Sequence, residues 1–169
     1  KSTVGKMLAE KLSLQYHSTG EVFRVLAKEK GMSLEEFTEY VEEHPQIDKE
    51  LDARIVELAK QENVIIDSRL SSYLLKDVAH YKFLLTCDEE TRIQRMMERD
   101  EESFEEKLHE TRRREESEEE RFQELYGIDL SNERQRKDVF DLIIDTTHLS
   151  IEEVIHEILL FIRNPHPNA

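Results

Sequence analysis

The chain has little that would place it outside a reducing compartment. Its 169 residues include one cysteine, Cys87. A single thiol excludes an internal disulfide framework and fits the cytosol, so a cytoplasmic location is expected. No apolar run approaches the ~20 residues of a membrane span, and the first residues do not read as a signal peptide. Positive charge is scarce: 24 Lys and Arg stand against 39 Asp and Glu, for a net charge of −15. That balance argues against nonspecific binding to nucleic acid or to an anionic membrane, since either needs a positive field. An anionic ligand could bind only at a local cluster of arginines. What is abundant is charge itself, 37% of residues, matched by 37% hydrophobic. The combination fits a helix-rich domain with heavily solvated faces, and the length suits one domain with a real core.

The chain opens on Lys1-Ser2-Thr3-Val4, running directly into an amphipathic helix to about Leu12. Lys followed by Ser or Thr at a helix start is the tail of the phosphate-binding loop G-x-x-x-x-G-K-S/T. In that loop the backbone N–H groups cradle phosphate oxygens, the Lys reaches the β/γ-phosphates and the hydroxyl ligates Mg²⁺. The loop glycines and the strand that feeds them are absent, as is an initiator Met, so a short N-terminal piece is expected to be missing. Taken alone, Lys1-Ser2-Thr3 is more often a plain helix N-terminus with Ser2 or Thr3 as N-cap, and the rest of the sequence reverses that balance.

Strands then alternate with helices. Leu14 to Ser18 reads as a short strand, and Ser18-Thr19-Gly20-Glu21 as the start of a helix that ends at Gly31. Ser33 and Glu36 form a capping box for a helix to about Glu43, and another helix spans roughly Asp48 to Glu62. The continuous apolar run Val64-Ile65-Ile66 suits a buried parallel strand. A helix from Ser71 to Asp77 and a strand from Tyr81 to Thr86 follow. From Asp88 to Leu125 sixteen acids face eight bases, and two helices broken near Asp100 to Ser103 are expected. Asp141 to Asp145 is the last strand, and Ser150, with Glu153 at N3, caps the last helix to about Arg163. The order αβα(αα)βαβααβα predicts an α/β fold: a parallel sheet with helices on both faces. Ligands in such sheets bind beyond the carboxyl ends of the strands.

The polar groups at those ends are the candidates. Ser18, Thr19 and Gly20 offer hydroxyls and free N–H groups, with Arg24 one turn on; a simple N-cap is the plain alternative. Asp67 could hold the water shell of Mg²⁺ and Arg69 could fork onto a phosphate, or the two could be a structural pair. Arg92, Arg95 and Arg99 share one helix face, as do Arg114, Glu118 and Arg121. Each set could read an anion or merely pair with the acids around it.

In order, these motifs are Lys-Ser-Thr opening a helix, Ser-Thr-Gly-Glu-x-Phe-Arg, a strand into Asp-Ser-Arg-Leu, Arg-x-x-Arg-x-x-x-Arg, Arg-x-x-x-Glu-x-x-Arg and Phe-Asp-Leu-Ile-Ile-Asp-Thr-Thr. Their order and spacing over nearly the whole chain resemble the nucleoside monophosphate kinases of the P-loop NTPase superfamily. The resemblance is to cytidylate kinases in particular, and the Glu-Leu-Tyr-Gly-Ile-Asp and Ser-Leu-Glu-Glu-Phe stretches are similar to the compact archaeal-type group.

The resemblance implies one domain over residues 1–163, with a monophosphate-binding lobe at 31–62, a lid region at about 95–121 and a tail at 164–169. It implies ATP-dependent phosphoryl transfer to CMP or dCMP with Mg²⁺. Lys1, Arg95 and Arg99 would act on the transferred group. Lys1, Ser2, Thr3, Arg95 and Thr146 would hold ATP. Ser18, Thr19, Gly20, Arg24, Asp67, Arg69, Arg114, Glu118 and Arg121 would hold the monophosphate. Ser2, and Asp67 through water, would hold the metal. In that family the missing strand lies mid-sheet, so the sheet is expected to have an empty central slot. ATP and a nucleoside monophosphate would be the partners, with no nucleic acid or membrane, and the chain is taken as a monomer. Two other readings are an adenylate or other small-molecule kinase of the same fold, and a non-catalytic acidic helical interaction module built on the segment from Asp88 to Leu125.

Overall fold

A computed structural model describes residues 1–61, 63–100 and 103–164, and within them every side chain but that of Arg99. The elements in chain order are α1 (Ser2–Leu12), β1 (Gln15–Ser18), α2 (Thr19–Glu29), α3 (Leu34–Glu42), α4 (Gln46–Ala59), β2 (Val64–Asp67) and α5 (Ser71–Leu74). They continue with β3 (Phe83–Thr86), α6 (Glu89–Asp100), α7 (Phe104–Tyr126), α8 (Glu133–Val139), β4 (Leu142–Asp145) and α9 (Ile151–Arg163). The strand–helix alternation is the one the apolar runs predict.

All strand pairing is parallel. Strand β1 runs beside β2, with Ser18 opposite Asp67. Strand β3 runs beside β4, with Thr86 opposite Asp145. The two pairs are separate two-stranded sheets, with no ladder between them among the described residues. A shared core nevertheless joins them. Val4 and Leu8 of α1, Ile144 of β4, and Val154, Ile155 and Ile158 of α9 are buried together, with Ile65, Phe83, Leu85 and Leu142 packed against them. Full burial of such side chains stabilises by about 1.5–3 kcal/mol each. A second, smaller core lies in the helical excursion, where Ala27, Phe37 and Val41 gather Phe23, Leu26 and Ile47.

Helix ends follow local chemistry. Ser33 and Ser150 make reciprocal capping boxes with Glu36 and Glu153, as the sequence spacing predicts, and Ser103 does the same with Glu106 at the start of α7. Gly127 closes α7 at φ 66°, a left-handed conformation that costs a glycine nothing.

Several boundaries differ from expectation, among them α4, which runs Gln46–Ala59 where roughly Asp48 to Glu62 is expected. Helix α5 stops at Leu74, where Leu75 caps it outside the helical region. Strands β3 and β4 begin with their apolar runs at Phe83 and Leu142, later than the expected Tyr81 and Asp141. Helix α8 is unanticipated, because it buries none of its residues and so carries no apolar period. Its one local signal is Asn132, whose side chain accepts from the N–H groups of Arg134 and Gln135. The expected tail at 164–169 lies outside the described residues beyond Asn164.

Candidate active site

The register of β1 against β2 brings two strand ends together, and the chemistry gathers there. Asp67 is the last residue of β2 and its side chain is only 4% exposed. Three donors from two elements converge on its carboxylate. Lys1 Nζ lies 2.6 Å from Oδ1. Ser2 Oγ donates to Oδ2 at 2.8 Å, and Tyr16 Oη donates to the same oxygen at 2.7 Å. Thr19 Oγ1 donates to the Asp67 carbonyl at 3.4 Å. Burial pushes the Asp67 carboxyl up, but the Lys1 ammonium and the hydrogen bonds from Lys1, Tyr16 and Ser2 outweigh it and hold it below the usual carboxylate range. The same contact acts in reverse on Tyr16: burial, with the Asp67 carboxylate beside it, pushes its hydroxyl up to about 12.

Tyr16 belongs to this site and was not among the sequence candidates. Its sequence signal is Gly5, a glycine inside α1. Glycine costs about 1 kcal/mol in a helix interior, so its presence marks a close approach. A Cβ at Gly5 would stand 2.7 Å from Tyr16 Cε2. The Tyr16 ring therefore lies against the backbone of the first turns of α1 while its hydroxyl anchors Asp67.

Beside the hub, Ser18 caps α2 by accepting from the Glu21 N–H. The Arg24 guanidinium folds back over Gly20, where an added Cβ would meet Nη1 at 3.6 Å. Thus Lys1, Ser2, Thr19 and Asp67 meet directly, Ser18 pairs with Asp67 in the ladder, and Gly20 and Arg24 follow on the adjoining helix. Thr3 is the second residue of α1.

Two residues past Asp67, Arg69 turns toward α7. Its Nε sits 2.8 Å from Glu118 Oε2 and its Nη2 donates to Glu115 Oε1 at 3.0 Å. Glu115 also takes both terminal nitrogens of Arg92, at 2.5 and 3.0 Å. Arg114 lies 3.8 Å from both Glu110 and Glu118. Arg69, Arg114 and Glu118 are therefore neighbours.

Arg121 pairs elsewhere along α7. Its side chain and that of Asp48 are each 8% exposed, joined by an Nε–Oδ2 contact of 2.7 Å, and its Nη1 donates to Ser117 Oγ. Its guanidinium fastens α7 to α4. Burial dominates at Asp48 and pushes its carboxyl up despite the arginine. Arg95, on α6, rests on the loop after β4. It donates to the Thr146 carbonyl at 2.9 Å and to Thr146 Oγ1 at 3.3 Å, with Nη1 3.5 Å from Cys87 Sγ. The side chain of Arg99, the third arginine of that series, lies outside the described residues.

Oxygen donors at Ser2 and Asp67 are the kind a hard divalent cation takes. No group of three or more His, Cys, Asp or Glu fit to hold a metal occurs among the described residues. A cation there would draw the rest of its shell from a ligand and water. No helix among them is long and apolar enough to cross a membrane.

The chain is similar to known proteins over most of its length. Residues 1–148 match the cytidylate kinase-like family. A cytidylate kinase of Aeropyrum pernix is 42% identical over 94% of this chain and 90% of its own length. The Archaeoglobus fulgidus cytidylate kinase is 40% identical over 94% and 86%, and that of Pyrococcus horikoshii 40% over 90% and 77%. The crystal structure of an uncharacterized protein from Eubacterium ventriosum superposes with a TM-score of 0.65 at 17% identity, covering 96% of this chain and 90% of that one. At that identity the superposition speaks for the fold alone.

Proposed function

The chain belongs to the cytidylate kinase-like family, and from this we propose that it transfers a phosphoryl group from ATP to a nucleoside monophosphate, with CMP or dCMP as acceptor. The observation that carries the reading is the convergence of Lys1 and Ser2 on Asp67, with Arg69 two residues beyond, at the paired ends of β1 and β2. A lysine and a hydroxyl at the start of α1 suit a nucleotide phosphate; an acid and an arginine at a strand end suit the acceptor phosphate.

The reaction is a charge problem. Two polyanions must approach, and catalysis rests on positioning and electrostatic stabilisation. Lys1 leaves the Asp67 carboxylate for the ATP phosphates, while Tyr16 stays and keeps Asp67 oriented. Arg69 binds the acceptor phosphate through the Nη1 edge that its two glutamates leave open. Ser18, Thr19, Gly20 and Arg24 border the acceptor from α2, and Arg114 and Glu118 face its base. Arg121 shapes that wall by fixing α7 on α4. Arg95 and Thr146 border the ATP base, and Arg99, on the same helix, acts on the transferred group. Residues 31–62 form the acceptor lobe and about 95–121 the lid. Magnesium would be held by Ser2 and, through water, by Asp67, where it neutralises phosphate charge. The single half-buried thiol, Cys87, suits a cytoplasmic enzyme.

The test is phosphoryl transfer from ATP by the full-length protein to CMP, UMP, AMP and GMP, read as kcat/KM for each. CMP should lead. A lead for AMP would favour an adenylate kinase. No transfer, with no thermal stabilisation by any nucleotide, would favour the acidic interaction module.

A further inference from the structure

Glu115 has no part in the function as read so far, yet it is the junction between two elements that function separately. Its Oε1 is shared by Arg69, from the loop after β2, and by Arg92, from α6; its Oε2 takes the second nitrogen of Arg92. The carboxylate is about a quarter exposed, so the contacts are partly shielded from water. We propose that Glu115 is a positioning residue for acceptor binding: it holds the Arg69 fork in the orientation that receives the acceptor phosphate and ties that orientation to α6.

The donors of Arg69 support this. A guanidinium carries five N–H groups in a rigid plane. Glu118 lies against Nε and Glu115 accepts from Nη2, both along one edge of that plane. With that edge held at two points, the plane is turned one way, and Nη1, which no described side chain engages, faces away from the glutamates. A long side chain that is ordered before its ligand arrives loses less freedom on binding. Arg92 is the second half of the device. Its two-point grip fixes the Glu115 carboxylate from α6, the helix that also carries Arg95 on the Thr146 loop. Movement of α6 therefore pulls on the acceptor arginine through one carboxylate.

Electrostatics alone predicts the opposite sign. A negative charge beside Arg69 weakens its attraction for a phosphate, so removing it should tighten CMP binding. Positioning predicts that removing it weakens CMP binding. The sign of the change decides between them.

The inference rests on the kinase reading, and the experiment keeps the two apart by scoring the unsubstituted full-length protein first. If that protein neither binds CMP nor phosphorylates it, the kinase reading fails. If it does, Glu115→Gln is compared by calorimetric CMP titration and by steady-state kinetics. The expected result is CMP affinity lower by about tenfold, with KM for ATP changed by less than about twofold. Arg92→Met should weaken CMP binding in the unsubstituted background and add nothing in the Glu115→Gln background. Unchanged or tighter CMP binding by Glu115→Gln would overturn the inference. So would equal losses for CMP and ATP, the mark of a general structural fault, and so would additive effects of the two substitutions.

Discussion

The Asp67 hub and the inner face of α7 solve the same problem in opposite ways. At the hub one buried carboxylate is surrounded by donors, among them Lys1, Ser2 and Tyr16. Along α7 arginines and glutamates alternate in a partly exposed network that reaches β2, α6 and α4. If Lys1 departs, Tyr16 and Ser2 still hold Oδ2, while Oδ1 loses its lysine contact. In the network on α7, Arg69 and Arg121 are each held by two side chains and Arg92 by both oxygens of Glu115. The contrast shows how a chain of net charge −15 can meet polyanions. In the proposed reaction one cation, Lys1, moves to phosphate, and Arg69 is turned by its glutamates so that Nη1 faces away from them.

The largest expected effect separates the mobile cation from the locked ones. Lys1→Ala should lower kcat by ~10³-fold or more, as losses of transition-state charge stabilisation do, while thermal unfolding shifts by less than for a pair buried on both sides, because the Lys1 side chain is half exposed although Asp67 is buried. Arg121→Met should do the reverse. It strips a buried pair of its cation and should cost about 3 kcal/mol or more of stability, read by urea unfolding. If Lys1→Ala instead unfolds the protein and Arg121→Met does not, the two regions have been assigned the wrong way round.

Gly5→Ala comes next. The added methyl must push the Tyr16 ring away from α1 and loosen its bond to Asp67. Overpacking of this kind costs about 1–3 kcal/mol, offset in part by the better helix propensity of alanine. A stability gain by differential scanning calorimetry would mean that the ring moves freely and does not lock the acid.

The smallest effect is in the pH dependence of stability, where the two regions have opposite signs. Asp67 titrates below its usual range in the folded chain. Its contribution is present above the ordinary value of about 3.9 and is lost as pH falls through the lowered folded value. Asp48 titrates above its usual range, so its contribution falls as pH rises from about 3.9 through the raised folded value. Urea midpoints measured from about pH 3 to 6 should show Asp67→Asn losing ground to the unsubstituted protein as pH rises, and Asp48→Asn gaining. Parallel slopes would remove the contrast.

The hub was legible in the sequence and the network was not, for a physical reason. Apolar runs mark strands, and a strand places its next polar residue at the sheet edge. Ser18 and Asp67 were therefore visible as strand-end groups before any pairing was known. Capping boxes at Ser33 and Ser150 were equally visible, because their partners lie three residues away. Glu115 joins residues 46 and 23 positions away, and Arg121 finds Asp48 at 73. On a helix this rich in acids, spacing cannot say which glutamate takes which arginine; tertiary packing decides. Arg114 and Arg121, one helical heptad apart, illustrate the limit. They share a stripe in projection, yet Arg114 lies beside Glu110 and Glu118 while Arg121 goes to Asp48 on α4.

A crystal structure with CMP, Mg²⁺ and a non-hydrolysable ATP analogue tests the account most directly. Lys1 Nζ should have left Asp67 for the ATP phosphates, with Tyr16 still donating to Asp67, and Arg69 should meet the CMP phosphate through Nη1 with Glu115 and Glu118 still in place. A Lys1–Asp67 contact that persists with both nucleotides bound, or nucleotides seated away from the ends of β1 and β2, would contradict it.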